Sequence, residues 1–214
     1  MLGADDGVVS TASLMMGVAA ANASKEATLV AGIAGLVAGA LSMAAGEYVS
    51  VSSQRDAENA DIARETRELA TDPKGELEEL TAIYRRRGLD AALALKVAEQ
   101  LSARDDRLDS HLRDELGLHP DMMAKPLQAA VVSAASFGVL AALPIVALLV
   151  APAALRTWAI GGVSLVSLGV LGALGGWLGG APIPRAALRV LIGGAAAMAA
   201  TAAIGYLLGV AGVG

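Results

Sequence analysis

Residues 29–70 read LVAGIAGLVAGALSMAAGEYVSVSSQRDAENADIARETRELA. The first half is apolar and rich in glycine and alanine; the second, from Arg55 onward, is dominated by charged side chains. The same contrast divides the whole chain of 214 residues. Between Ser52 and Lys125 stand 12 Lys/Arg and 17 Asp/Glu, whereas the flanking stretches hold only four basic and four acidic groups. The net charge of −5 therefore lies entirely in the middle segment. With 55% apolar residues and a mean hydropathy of +0.58, this pattern excludes a single soluble domain and a disordered chain. It also argues against a nucleic-acid binder, which needs a basic surface.

A membrane-crossing helix needs roughly 20 mostly apolar residues. Five stretches qualify: Ala4–Ala23, Ala27–Val51, Leu127–Ala151, Trp158–Gly179 and Ala187–Val213. The turn at Asn22–Glu26 forces the first two into an antiparallel hairpin. Pro152–Arg156 and Gly180–Arg185 separate the last three, and Pro182 and Pro184 are expected to break any helix there. The expectation is an all-α polytopic membrane protein with five transmembrane helices and a three-helix cytoplasmic insert between the second and third. Its divisions are 1–51, 52–126 and 127–214.

Orientation follows from the basic residues in the loops. The middle segment, with Arg185 and Arg189, carries 14 of them on one side, against Lys25 and Arg156 on the other. The insert and the N-terminus are thus expected to face the cytoplasm. Trp158 and Trp177 bracket the fourth span, as interfacial anchors do. The N-terminus lacks a basic n-region and opens with Asp5 and Asp6, so no cleavable signal is expected. A bacterial inner membrane suits the composition better than an organelle. The chain has no cysteine, hence no disulfide or thiolate chemistry.

Small-xxx-small pairs recur in the spans: Gly35/Gly39, Gly172/Gly176, Gly175/Gly179 and Gly205/Gly209. They permit close helix approach, either within one protomer or between two. In the insert, Ser53–Ala70 continues the second span and Asp72-Pro73-Lys74-Gly75 ends it. Glu76–Arg87 forms a second helix closed by Gly88. Asp90–Leu116 forms a third, with Leu93, Val97, Leu101, Leu108 and Leu112 as its apolar stripe and Gly117 as its stop.

Ionisable groups in hydrocarbon are costly and mark function. From the turn near Ser24, Asp6 lies 18 residues back and Met43 lies 19 forward. Both therefore stand roughly 27 Å from the turn. Glu47 follows Met43 by one helical turn. Carboxylate with thioether suits a first-row divalent cation rather than Mg²⁺ or Ca²⁺. The competing reading makes Met43 a packing residue and Glu47 an interfacial one. In the insert, Glu58, Asp61, Glu65 and Glu68 share one helical face, Glu76 and Glu79 another, and His111 and Glu115 stand at i, i+4. Clustered carboxylates repel unless a cation joins them, although Arg64 and Arg67 could pair with Asp61 and Glu68. His119 reads as a loop residue. No P-loop, HExxH or GxSxG motif appears, so neither ATP-driven pumping nor enzymatic hydrolysis is expected. Any ion movement then draws on a gradient, with Asp6 and Glu47 as the groups that exchange a proton for a cation. A membrane-anchored metal sensor or interaction protein that transports nothing remains the alternative.

The run Gly3-Ala4-Asp5-Asp6-Gly7-Val8-Val9-Ser10-Thr11, the run Ala38-Gly39-Ala40-Leu41-Ser42-Met43-Ala44-Ala45-Gly46-Glu47-Tyr48-Val49-Ser50 and the insert ending Glu115-Leu116-Gly117-Leu118 resemble the vacuolar iron transporter family. The resemblance implies a homodimer that exports cytosolic Fe²⁺, often with Mn²⁺, against protons, with no organic cofactor. It implies membrane-pathway roles for Asp6 and Met43. It also implies metal-binding roles for Glu65, Glu68, Glu76, Glu79 and Glu115, whereas His111 is a candidate ligand on its spacing from Glu115 alone. Two departures stand out. Gly35 occupies a position, eight before Met43, where some members have an acid, and His111-Leu112 stands where some have two methionines. A neutral imidazole is a harder ligand than a thioether.

Overall fold

The computed structural model describes residues 2–119 and 122–211, and every regular element among them is helical. In chain order these are α1 (Leu2–Ala20), α2 (Lys25–Thr71), α3 (Pro73–Arg86), α4 (Ala91–Ser102), α5 (Arg107–Asp114), α6 (Pro126–Val150), a 3-10 turn at Ala153–Leu155, α7 (Arg156–Leu178) and α8 (Ile183–Val210). The chain divides into two units, with boundaries at Tyr48/Val49 and Pro126/Leu127. α2 runs through the first boundary unbroken, because no Gly or Pro interrupts residues 47–71.

Among the described residues, four helices are long and apolar enough to cross a membrane: α2, α6, α7 with the turn before it, and α8. α1 falls short of that standard, since Asp5, Asp6, Ser10, Thr11 and Ser13 dilute its 19 residues. Yet α1 packs against both α7 and α8, and Val8, Ala12 and Met15 are completely buried. Met15 and Ala12 join Ile145, Leu148, Ile160 and Met198 in the core of this unit. Asp6 and Ser10 lie on the face that these neighbours leave exposed, while the opposite face is buried. The apolar window of α2, by contrast, is only 6% buried.

The glycine pairs serve close packing within the protomer. Gly205 lies directly on the backbone of Gly17, and Gly39 against the ring of Phe137. Gly172 and Gly176 seat the start of α8, at Ala186–Ala187 and Ile183 respectively. α8 begins four residues earlier than the sequence suggests. Pro182 is its N-cap and Pro184 falls in the first turn, where a proline costs no hydrogen bond and its fixed φ favours the helix. The proposed end of the last span at Val213 lies outside the described residues.

In the other unit, Asp72 caps α3 by accepting the Gly75 amide at 3.0 Å, with Pro73 opening the helix. Gly88, at φ +100°, closes it. The Gly88 amide donates to the Arg85 carbonyl and the Leu89 amide to that of Tyr84, at 3.0 and 3.3 Å, the paired pattern that a left-handed glycine allows. The long helix expected over Asp90–Leu116 is in fact two, α4 and α5. Arg104 grips Asp106 through two 2.8 Å hydrogen bonds, folding the chain into a turn that periodicity does not register. The apolar stripe changes with it. Leu93 is 49% exposed, and Ala94 and Ala98 take the buried positions. Leu80, Ile83 and Ala98 form the α3–α4 core.

Candidate metal centre

Three elements of this unit converge on one point. α2 supplies Glu65, the first turn of α3 supplies Glu76, and α5 with its C-cap supplies His111 and Glu115. One ligand atom from each lies within 4.8 Å of all the others. His111 Nδ1 stands 3.0 Å from Glu65 Oε1, 3.4 Å from Glu76 Oε2 and 3.9 Å from Glu115 Oε2. Glu65 is 1% exposed and His111 0%. None of these four atoms, nor His111 Nε2, has a properly directed hydrogen-bond partner among the described residues. Unpartnered buried carboxylate oxygens are expensive, so the arrangement calls for a cation or a proton between them.

The titration behaviour agrees. Burial, reinforced by the neighbouring Glu65, pushes Glu76 up to about 7. Burial and then Glu115 raise Glu65, while burial and then Glu79 raise Glu115. Burial holds His111 below its usual range, leaving a neutral imidazole able to ligate a metal. A metal entering the site must displace the protons that the raised carboxyls retain. Its apparent affinity should therefore fall as pH drops below about 7, by up to about tenfold per pH unit for each proton displaced. Calorimetry in buffers of different ionisation enthalpy should register that proton release at pH 6.5, and a pH-independent affinity between 5.5 and 7.5 would contradict it.

The remaining acidic candidates are distributed otherwise. Glu68 is half-exposed and 4.0 Å from Arg64, which also holds Asp61 at 2.7 Å. Arg67 turns to the Ala63 carbonyl at 3.3 Å. Glu58 accepts the Gln54 amide at 2.8 Å and the Ala124 backbone amide at 3.1 Å, and so ties down the segment before α6. Glu79 and His119 are exposed. In the unit containing α1, Asp6 is exposed, whereas Met43 and Glu47 are half-buried. The Met43 methyl lies against Gly3, one turn before Asp6.

A support for the centre emerges that short-range spacing does not reveal. Asp114, beside Glu115, accepts the Tyr84 hydroxyl at 2.7 Å and Arg87 Nη1 at 2.8 Å. Arg87 also reaches the Asp114 carbonyl at 3.1 Å and stacks 5.2 Å above the Tyr84 ring. These partners lie 27 and 30 residues apart, beyond any helical period. They fasten the eight-residue α5, too short to hold its own shape, to the end of α3. Tyr84→Phe removes one hydrogen bond, about 1–1.5 kcal/mol. The α5 amides should then exchange with deuterium about tenfold faster, and unchanged exchange would contradict the clamp.

Among the described residues, four helices of membrane-crossing length and a largely buried oxygen–nitrogen donor set that could hold a metal ion point to the class of membrane proteins that handle metal ions. The chain belongs to the VIT family, whose model matches residues 1–206. It is 46% identical to the vacuolar iron transporter of Acanthamoeba castellanii, over 97% of this chain and 76% of that protein. It is 39% identical to vacuolar iron transporter homolog 1 of Oryza sativa subsp. japonica, over 100% and 74% of the two chains. With vacuolar iron transporter homolog 2.1 of Arabidopsis thaliana it shares 35%, over 98% and 80%.

Proposed function

We propose that the protein exports Fe²⁺, and Mn²⁺ as an alternative cargo, from the cytoplasm in exchange for protons. The observation that carries this reading is the group of buried Glu65, Glu76 and His111 with half-buried Glu115, whose unpartnered ligand atoms converge within 4.8 Å. The iron in the names of its relatives supports the choice of cargo. In this scheme α1 is a fifth crossing, one face set against α7 and α8 and the exposed face carrying Asp6. The basic-residue asymmetry favours a cytoplasmic N-terminus and a cytoplasmic Ser52–Lys125 segment, and the composition suits a bacterial inner membrane. The quartet collects the ion, with Glu68 and Glu79 drawing cations toward it.

Asp6, Met43 and Glu47 then carry the ion across, in a pathway completed by a second copy of the chain. The exposure of Asp6 and of the apolar part of α2 supports that homodimer, since a carboxylate facing hydrocarbon would be costly. Protonation of Asp6 and Glu47 from the far side releases the ion.

Proteoliposomes test this directly. Fe²⁺ and Mn²⁺ flux should rise when a pH difference is imposed, and Met43→Ala should lower it about tenfold or more through loss of its thioether. Metal binding without any flux would instead favour a membrane-anchored sensor.

A further inference from the structure

We infer that a groove between α7 and α8 holds an acyl chain of one anionic phospholipid, whose phosphate is received by Arg156. The groove belongs to the unit that contains α1, and nothing about it depends on metal transport.

Its origin is the spacing of glycines along α7. Near the turn that joins the two helices, a Cβ on Gly172 would meet the Ala187 Cα at 2.8 Å, and one on Gly176 the Ile183 Cα at 3.1 Å. Backbone there lies on backbone. At Gly169 the nearest part of α8 is already the Leu191 side chain, at 3.5 Å. At Gly161 a Cβ would meet only Met16 of α1, at 3.8 Å, and at Gly162 nothing within 4 Å. The two helices thus part toward the start of α7, and small residues keep the gap open. Gly161, Gly162 and Leu165 line it from α7, Ala195 and Ala199 from α8 and Met16 from α1, around a volume of about 360 Å³.

Such a space does not stay empty in a bilayer. Apolar walls do not hold water, and a void forfeits the dispersion contacts of its lining. From Thr157 to Leu165 the groove runs roughly 12 Å along the helix. Trp158 marks its mouth; it is 80% exposed, and tryptophan sits at headgroup level. A hydrocarbon chain entering beside Trp158 fills the groove and leaves its headgroup at the first turn of α7.

That turn carries a cation in need of a partner. Arg156 is half-buried, and its Nε is shut off from solvent without a hydrogen-bond acceptor. It enters no ion pair among the described residues. The exposed Glu26 is near enough to feel its charge but does not bond to it. A phosphodiester offers two oxygens to the fork of guanidinium N–H donors. An apolar helix of a second copy would fill the groove and leave Arg156 unpaired; a phospholipid answers both.

Native mass spectrometry of the full-length protein, given phosphatidylglycerol and phosphatidylcholine with identical acyl chains, tests this. The wild type should retain one phosphatidylglycerol with about tenfold preference, the worth of one charge-assisted hydrogen bond. Arg156→Gln should abolish the preference. Gly162→Leu, whose side chain has room to enter the groove, should weaken retention of both lipids about tenfold by displacing methylenes. Arg185→Gln, at an exposed site in the α7–α8 turn, should change neither. A preference that survives Arg156→Gln, or falls equally with Arg185→Gln, would overturn the inference. So would retention unaffected by Gly162→Leu, or lipid displaced by inorganic phosphate alone, which would reveal an anion site without a tail. A dimer that forms without lipid and dissociates in Gly162→Leu would give the groove to a second copy and overturn it as well.

Discussion

Gly205→Leu is expected to abolish the folded protein. Any side chain at this position would collide with the carbonyl, carbonyl carbon and Cα of Gly17, and backbone atoms do not rotate aside as a side-chain tip does. Helices that associate without hydrophobic drive depend on such close approach. Forcing α1 and α8 apart would also loosen Met15, Ala12 and Met198 in the same core. The cost should exceed about 3 kcal/mol, the upper end of ordinary overpacking. Gly193→Leu is the control in the same helix, because a side chain there meets nothing within 4 Å. Size-exclusion chromatography in detergent should show aggregate for the first variant and a monodisperse peak for the second. Monodisperse Gly205→Leu would contradict the packing described for α1 and α8.

The second large effect is expected at Glu65. It is the most buried carboxylate of the quartet, at 1% exposure, and its Oε1 makes the shortest approach to His111. Four-ligand structural sites bind with about 10–16 kcal/mol in total. Removing one ligand should therefore weaken metal binding by about 100-fold or more. Glu65→Gln keeps the volume while removing the charge, so the unit should fold as before and bind Fe²⁺ or Mn²⁺ at least about 100-fold more weakly. Glu68→Gln serves as the comparison, since that carboxylate is half-exposed and already faces Arg64. Its effect should stay within about threefold, as for other exposed charges. Equal losses in the two variants would remove the distinction between an enclosed quartet and a diffuse acidic surface.

Much of this architecture is legible in the sequence, for identifiable reasons. The apolar helices announce themselves by composition, and the unbroken passage of α2 from Lys25 to Thr71 follows from the lack of any breaker after Gly46. Gly88 is readable as a left-handed stop because few other residues tolerate that φ. Other features depend on contacts far apart in the chain. Glu58, Asp61, Glu65 and Glu68 share one helical face, yet only Glu65 is buried. Spacing puts residues on a face but does not say where another helix covers it. The split between α4 and α5 rests on a local Arg104–Asp106 pair, which leaves the hydrophobic period nearly intact. Pro184 shows the reverse case: the same residue that ends a helix from within opens one from its first turn.

The donor set is likewise half visible. His111 and Glu115 stand one turn apart, and the acidic residues of α2 and α3 are plain. That Glu65 and Glu76 rather than Glu68 and Glu79 complete the quartet is decided by how α3 and α5 meet α2 within that unit. The Tyr84–Asp114–Arg87 clamp takes part in that decision.

Crystals of the protein grown with Mn²⁺ or Fe²⁺ and measured at the metal's absorption edge would locate the ion without inference. An anomalous peak should lie within about 2.0–2.3 Å of oxygens from Glu65, Glu76 and Glu115 and of the His111 imidazole nitrogen. Anomalous density confined to the exposed carboxylates, with nothing among those four side chains, would contradict the metal centre on which the proposed transport depends.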